Sequence, residues 1–95
     1  MSDSLASIAL PATVMQAQAQ AVADDLVAQL RARVSTGAEA VLDASALAHF
    51  DSSALALVLA CRRAVMAQGA QLHVTGLPER AQALAQVYGV MALLR

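Results

Sequence analysis

Residues 54–68 run without a glycine or proline between the turn Asp51-Ser52-Ser53 and Gly69. A long, apolar-rich stretch punctuated at both ends predicts a helix over 54–68. Just upstream, Val41 and Leu42 belong to an apolar, β-compatible run that predicts a strand over 39–44. A connection through Leu47 and Phe50 joins the strand to the Asp-Ser-Ser turn. Ser and Asp suit a helix start because their oxygens accept bonds from free backbone N–H groups. The aligned peptide dipoles also place roughly half a positive charge there, so a hydroxyl or phosphate would meet a prepared anion site.

The flanking sequence repeats this alternation. Leu5, Ile8, Leu10 and Val14 surround Pro11, which predicts an extended segment over 5–14 that lies at a sheet edge or bends at the proline. Met15, Ala19, Val22, Leu26 and Leu30 recur at steps of three and four, the apolar stripe of a helix over 15–34. Gln16, Gln20, Asp24 and Arg31 fall opposite the stripe, Arg31 and Arg33 suit the last turn, and Ser35-Thr36-Gly37 ends it. After Gly69, the run Leu72-His73-Val74-Thr75 reads as a strand and Gly76-Leu77-Pro78 as a turn. A helix is expected between Pro78 and Gly89, with Ala81, Leu84 and Tyr88 on one face. The apolar tail 90–94 is expected to pack back on the domain. Strands alternating with helices imply parallel pairing, so the expected fold is α/β, one domain over 1–95.

Composition narrows the function. Alanine supplies about a quarter of a chain that is 59% hydrophobic, so its helices are thin. Aromatic content is 2%, namely Phe50 and Tyr88, which leaves no stacking platform for single-stranded nucleic acid. The formal net charge is −1 with no basic patch, so the electrostatic term that drives DNA binding is missing. Cys61 is the sole cysteine, which excludes an internal disulfide and fits a reducing compartment. Met1-Ser2-Asp3 does not open a secretory signal. The longest apolar run, from Ala54 to Cys61, is far short of the roughly 20 residues that span a bilayer. A cytoplasmic protein is expected, without direct membrane insertion.

Catalytic readings find little support. His49 lies three residues before Ser52 but in the connection, and His73 falls on a strand, so neither is marked as the base of a nucleophilic serine. Cys61, within an apolar helix, reads as a small buried hydrophobe. The scattered glycines form no phosphate loop. Asp43 and Asp51 are one acidic pair, but spacing supplies no third oxygen ligand, so no metal or other cofactor is expected. Asp43 is expected to bond local backbone and Asp51 to cap the following helix. Ser52 and Ser53 read either as further caps or as groups presented to a partner.

The helix over 54–68 carries a second signal. Leu55, Val58, Leu59 and Met66 are spaced to pack on the sheet. Ser53, Ala56, Ala60, Arg63 and Ala67 form another stripe, small except for one cation. A helix apolar on more than one face is buried or covered by a partner, and small side chains admit a close neighbour.

The stretch from Val41 to Leu59, an apolar strand, Asp43-Ala44-Ser45, a spacer, Asp51-Ser52-Ser53-Ala54 and an apolar helix, resembles the signature of STAS domains. Gly76-Leu77-Pro78 and Val87-Tyr88-Gly89-Val90 extend the likeness over almost the whole chain. Within the family it is most similar to the compact members called MlaB, cytoplasmic subunits of the Mla phospholipid-transport ABC system. The resemblance implies a small mixed or parallel sheet with helices mainly on one side. It implies no enzymatic activity, and a partner in an ABC ATPase subunit (MlaF in that system) and, indirectly, its permease. Ser52 matches the family's key hydroxyl, phosphorylated in the branch that antagonises anti-sigma factors and contributing to ATPase binding in the MlaB branch. The alternative partner is thus an anti-sigma kinase. Expected partner-binding residues are Asp51, Ser52, Ser53, Ala56, Ala60 and Arg63. Two departures stand out: the N-terminal strand region is short, and Ala54 replaces the glycine of many sigma-regulating members.

Overall fold

A computed structural model describes residues 5–94, save for the side chain of Leu5; Met1 to Ser4 and Arg95 lie outside the described residues. Three five-residue strands, β1 (Leu5–Ala9), β3 (Glu39–Asp43) and β5 (Gln71–Thr75), form a sheet in the order β1-β3-β5. Both pairings are parallel, with Ala6 opposite Ala40 and Ala40 opposite Leu72. Two short strands, β2 (Thr13–Val14) and β4 (His49–Phe50), pair in parallel as a separate ribbon. The helices are α1 (Gln16–Arg33), α2 (Ser53–Ala67) and α3 (Glu79–Val87), and a 3-10 turn over Met91–Leu94 follows.

Period-two alternation explains the layering. Ala6, Ile8, Leu10, Ala40, Leu42, Ala44 and Leu72 are buried under α1 and α2. The alternate positions Ser7, Ala9, Glu39, Gln71 and Thr75 are exposed, and His73 shares that face with Glu39 at 3.1 Å. The helices therefore stand mainly on one side, as the resemblance implied. Among the described residues no buried side chain is polar or charged, so hydrophobic burial alone holds the core.

The expected extended segment 5–14 is two strands, with Pro11 in the break between them. The connection expected through Leu47 and Phe50 contains β4, too short to leave a periodic signal. Helix α2 is buried along Leu57, Val58, Cys61 and Val65. Leu59 lies at the margin of that stripe and is half-buried, and Met66, expected on the sheet, is 50% exposed beyond it. Likewise α3 buries Ala81 and Ala85, whereas Tyr88, expected on the same face, follows the helix end at 58% exposure.

Candidate functional site

Strands β2 and β4 lie side by side and each runs directly into a helix, so α1 and α2 begin next to each other. The N–H groups of Ala48 and His49 both donate to the Ala12 carbonyl, at 2.8 and 2.9 Å, which fixes this register. Two positive helix ends thereby come together, and Asp51 stands between them. Its Oδ1 accepts from the Ser53 N–H at 2.8 Å and its Oδ2 from the Gln16 N–H at 3.1 Å. One carboxylate thus caps two helices. Met15, at the N-cap position of α1, supplies no side-chain cap bond, so a residue from the other helix's turn fills that role.

The same bonds set the acidity of the group. The Ser53 N–H holds the Asp51 carboxyl below its ordinary range; partial desolvation opposes this, and the Gln16 N–H and the Ser53 hydroxyl reinforce it. Asp43 is a separate local device. The Ser45 hydroxyl and its N–H, the latter 2.9 Å from Oδ1, hold that carboxyl low. The two carboxylates therefore serve backbone turns, and no group of three metal-binding side chains occurs among the described residues.

Ser52 sits at the N-cap position of α2 with helical φ −63° and ψ −15°, and its hydroxyl makes no capping bond. The capping reading thus fails for Ser52, whose side chain is exposed, and Asp51 does that work. The first N–H groups of α2 are also engaged. Ser53 donates to Asp51 Oδ1, Ala54 to the Asp51 carbonyl, and Leu55 and Ala56 to the Ser52 carbonyl. The helix start is an anion site already filled by the protein's own carboxylate.

The expected partner residues divide into two grooves. Ser53, Ala56, Ala60 and Arg63 line one of about 440 Å³ whose other wall is Gln16, Ala19, Gln20 and Ala23 of α1. The small stripe on α2 therefore borders α1 across an open groove, with Ala56 and Arg63 exposed in it. Ser52 and Ala56 line a second groove of about 330 Å³ with Leu55, Leu59, Tyr88 and Val90. Tyr88 and Val90 are not among the partner-binding residues expected from the sequence, which places Tyr88 on the face of Ala81 and Leu84; only the end of α3 at Val87 frees it to line this groove. Val87, 81% exposed, adds apolar surface nearby in sequence. His49 is exposed on β4, and Cys61 is fully buried with its thiol pushed up to about 11 by desolvation.

This small α/β domain with parallel strands presents a serine without a capping bond beside a largely apolar groove. A family model described as "Mlab, STAS domain" matches residues 11–95, and the chain belongs to that family. No curated protein matches it. No helix among the described residues is long and apolar enough to cross a membrane.

Proposed function

We propose that this protein is a non-enzymatic STAS subunit that docks on the ATPase of a phospholipid-transport ABC system and acts at the inner membrane only through that complex. The observation that carries the reading is the Ser52 hydroxyl, exposed and making no capping bond, at the rim of the groove formed by Leu55, Ala56, Leu59, Tyr88 and Val90. The partner's chain would bury this apolar floor and take one hydrogen bond from Ser52. Asp51 would act indirectly by fixing the backbone that carries the serine. Membership of the MlaB-type family supports the choice of partner.

The alternative is an anti-sigma factor antagonist switched by phosphorylation of Ser52. Its exposure favours access by a kinase. A phosphate would add roughly −1.5 to −2 charges, close to the Asp51 carboxylate and to N–H groups already bonded. That neighbourhood gives it less stabilisation than a vacant helix end. Affinity purification from the native host separates the two. Recovery of an ABC ATPase with its permease supports the first reading. Recovery of a kinase-like anti-sigma factor, with stoichiometric phosphate on Ser52 by mass spectrometry, replaces it with the second.

A further inference from the structure

The sheet ends at β1. Among the described residues nothing pairs with its outer edge, while its inner edge is laddered to β3 along its length. The Leu10 N–H donates to the Asp43 carbonyl at 2.8 Å, so Leu10, Ile8 and Ala6 turn their backbone groups inward. By the alternation of a parallel ladder, Ser7 and Ala9 turn theirs outward. Edge strands that must stay single are blunted by charge, proline or a bulge. The run Leu-Ala-Ser-Ile-Ala has neither charge nor proline, and Pro11 comes two residues after it.

Beside this edge lies a groove of about 640 Å³ lined by Ser7, Ala9, Pro11, Asp25, Gln29 and Arg33. Asp25, Gln29 and Arg33 recur every four residues, on one side of α1, with charges −1, 0 and +1. The series spans about 12 Å of helix, close to the length of β1. A two-fold axis through Ser7 reverses the direction of both elements. It sets Ser7 against the partner's Ser7, Asp25 towards the partner's Arg33, and Arg33 towards the partner's Asp25. An isologous interface requires a patch that complements itself in this way. Ala21, Ala28 and Ala32 are exposed along α1 and small enough to let two copies of the helix approach.

We propose that two copies of this chain associate through antiparallel pairing of their β1 edges, with the two α1 helices side by side and Asp25 and Arg33 exchanged in ion pairs. The result is one six-stranded sheet. The β1 groove shares no lining residue with the Ser52 groove, so the dimer leaves that site open and stands or falls independently of the proposed function.

Sedimentation equilibrium of the full chain at low ionic strength, up to about 1 mM, the weak end of specific association, tests this. The wild type is expected to dimerise reversibly. Ser7→Pro removes an outward N–H without touching the β3 ladder and is expected to give a folded monomer. Asp25→Arg and Arg33→Asp should each raise the dissociation constant about tenfold, and the double exchange should return it to within about threefold of wild type, since both pairs are restored with reversed sign. Circular dichroism confirms that each variant is folded. A wild type that stays monomeric throughout overturns the proposal. So does a dimer indifferent to Ser7→Pro, or a double exchange no tighter than the single ones.

Discussion

The N–H of Gln16 and the carboxylate of Asp51 meet at 3.1 Å across 35 residues of sequence, and this bond ties the start of α1 to the start of α2. Both helices begin at the same end of the domain because β2 and β4 run parallel into them. A negative side chain between two positive helix ends is favoured by both dipoles. It also satisfies N–H groups that neither helix can satisfy itself.

Replacing Asp51 with alanine should therefore lower stability more than replacing Asp43, whose bond is confined to its own turn. Asp51→Asn should fall between, because an amide keeps an acceptor for one N–H but loses the charge. Urea unfolding at neutral pH gives the order.

Acid should reveal the same bond. Both Asp43 and Asp51 are held below their ordinary range in the folded state. An unfolded chain then takes up protons before the folded one, so stability is complete above the unfolded pKa and is lost as pH falls through the folded value. Unfolding free energy should stay level from neutrality to about pH 5 and decline below about pH 4. Asp51→Asn should flatten part of that decline and leave the share of Asp43. A variant as acid-sensitive as wild type would contradict the assignment.

Gly76 has φ +68°, and a Cβ there would stand 2.8 Å from the Cβ of Ser45 and 3.1 Å from its backbone. Gly76→Ala should cost about 2 kcal/mol or more, from the left-handed conformation together with a clash that backbone cannot relieve. Gly37 has φ +83° and nothing within 4 Å of such a Cβ, so Gly37→Ala should cost only the conformational part, about 1 kcal/mol. Comparing the two urea midpoints separates strain from collision.

The Cys61 thiol is fully buried, and desolvation pushes it up to about 11. It should be inert to a disulfide reagent at neutral pH and react at the rate at which the domain opens. Fast, stoichiometric modification of the native protein would show the helix packing to be wrong.

The order of the three large strands and three helices was legible because short apolar, β-compatible runs alternate with longer stretches free of glycine and proline, and because Gly69 and Gly89 directly follow the caps of α2 and α3. The missed strand β4 has two residues, and only its pairing with β2 makes it a strand. Met66 shows the limit of periodicity: it falls at the edge of a stripe that only the packed sheet defines. At the site, Asp51 was legible as a cap for its own helix, because a bond two residues away is local chemistry. Its bond to Gln16 was not, since no local pattern records which helix start lies beside it. The small stripe on α2 was legible as a surface of close approach, and α1 forms the other wall of the groove that it lines.

The most direct measurement is the affinity of the purified protein for the ABC ATPase subunit of its own host, for wild type and Ser52→Arg, by calorimetric titration. Ser52 is exposed and makes no capping bond, so the variant should keep the wild-type urea midpoint. A bulky cation at the rim of the groove should weaken binding at least about tenfold, or roughly 1.4 kcal/mol. Equal affinity for the two proteins would contradict the account.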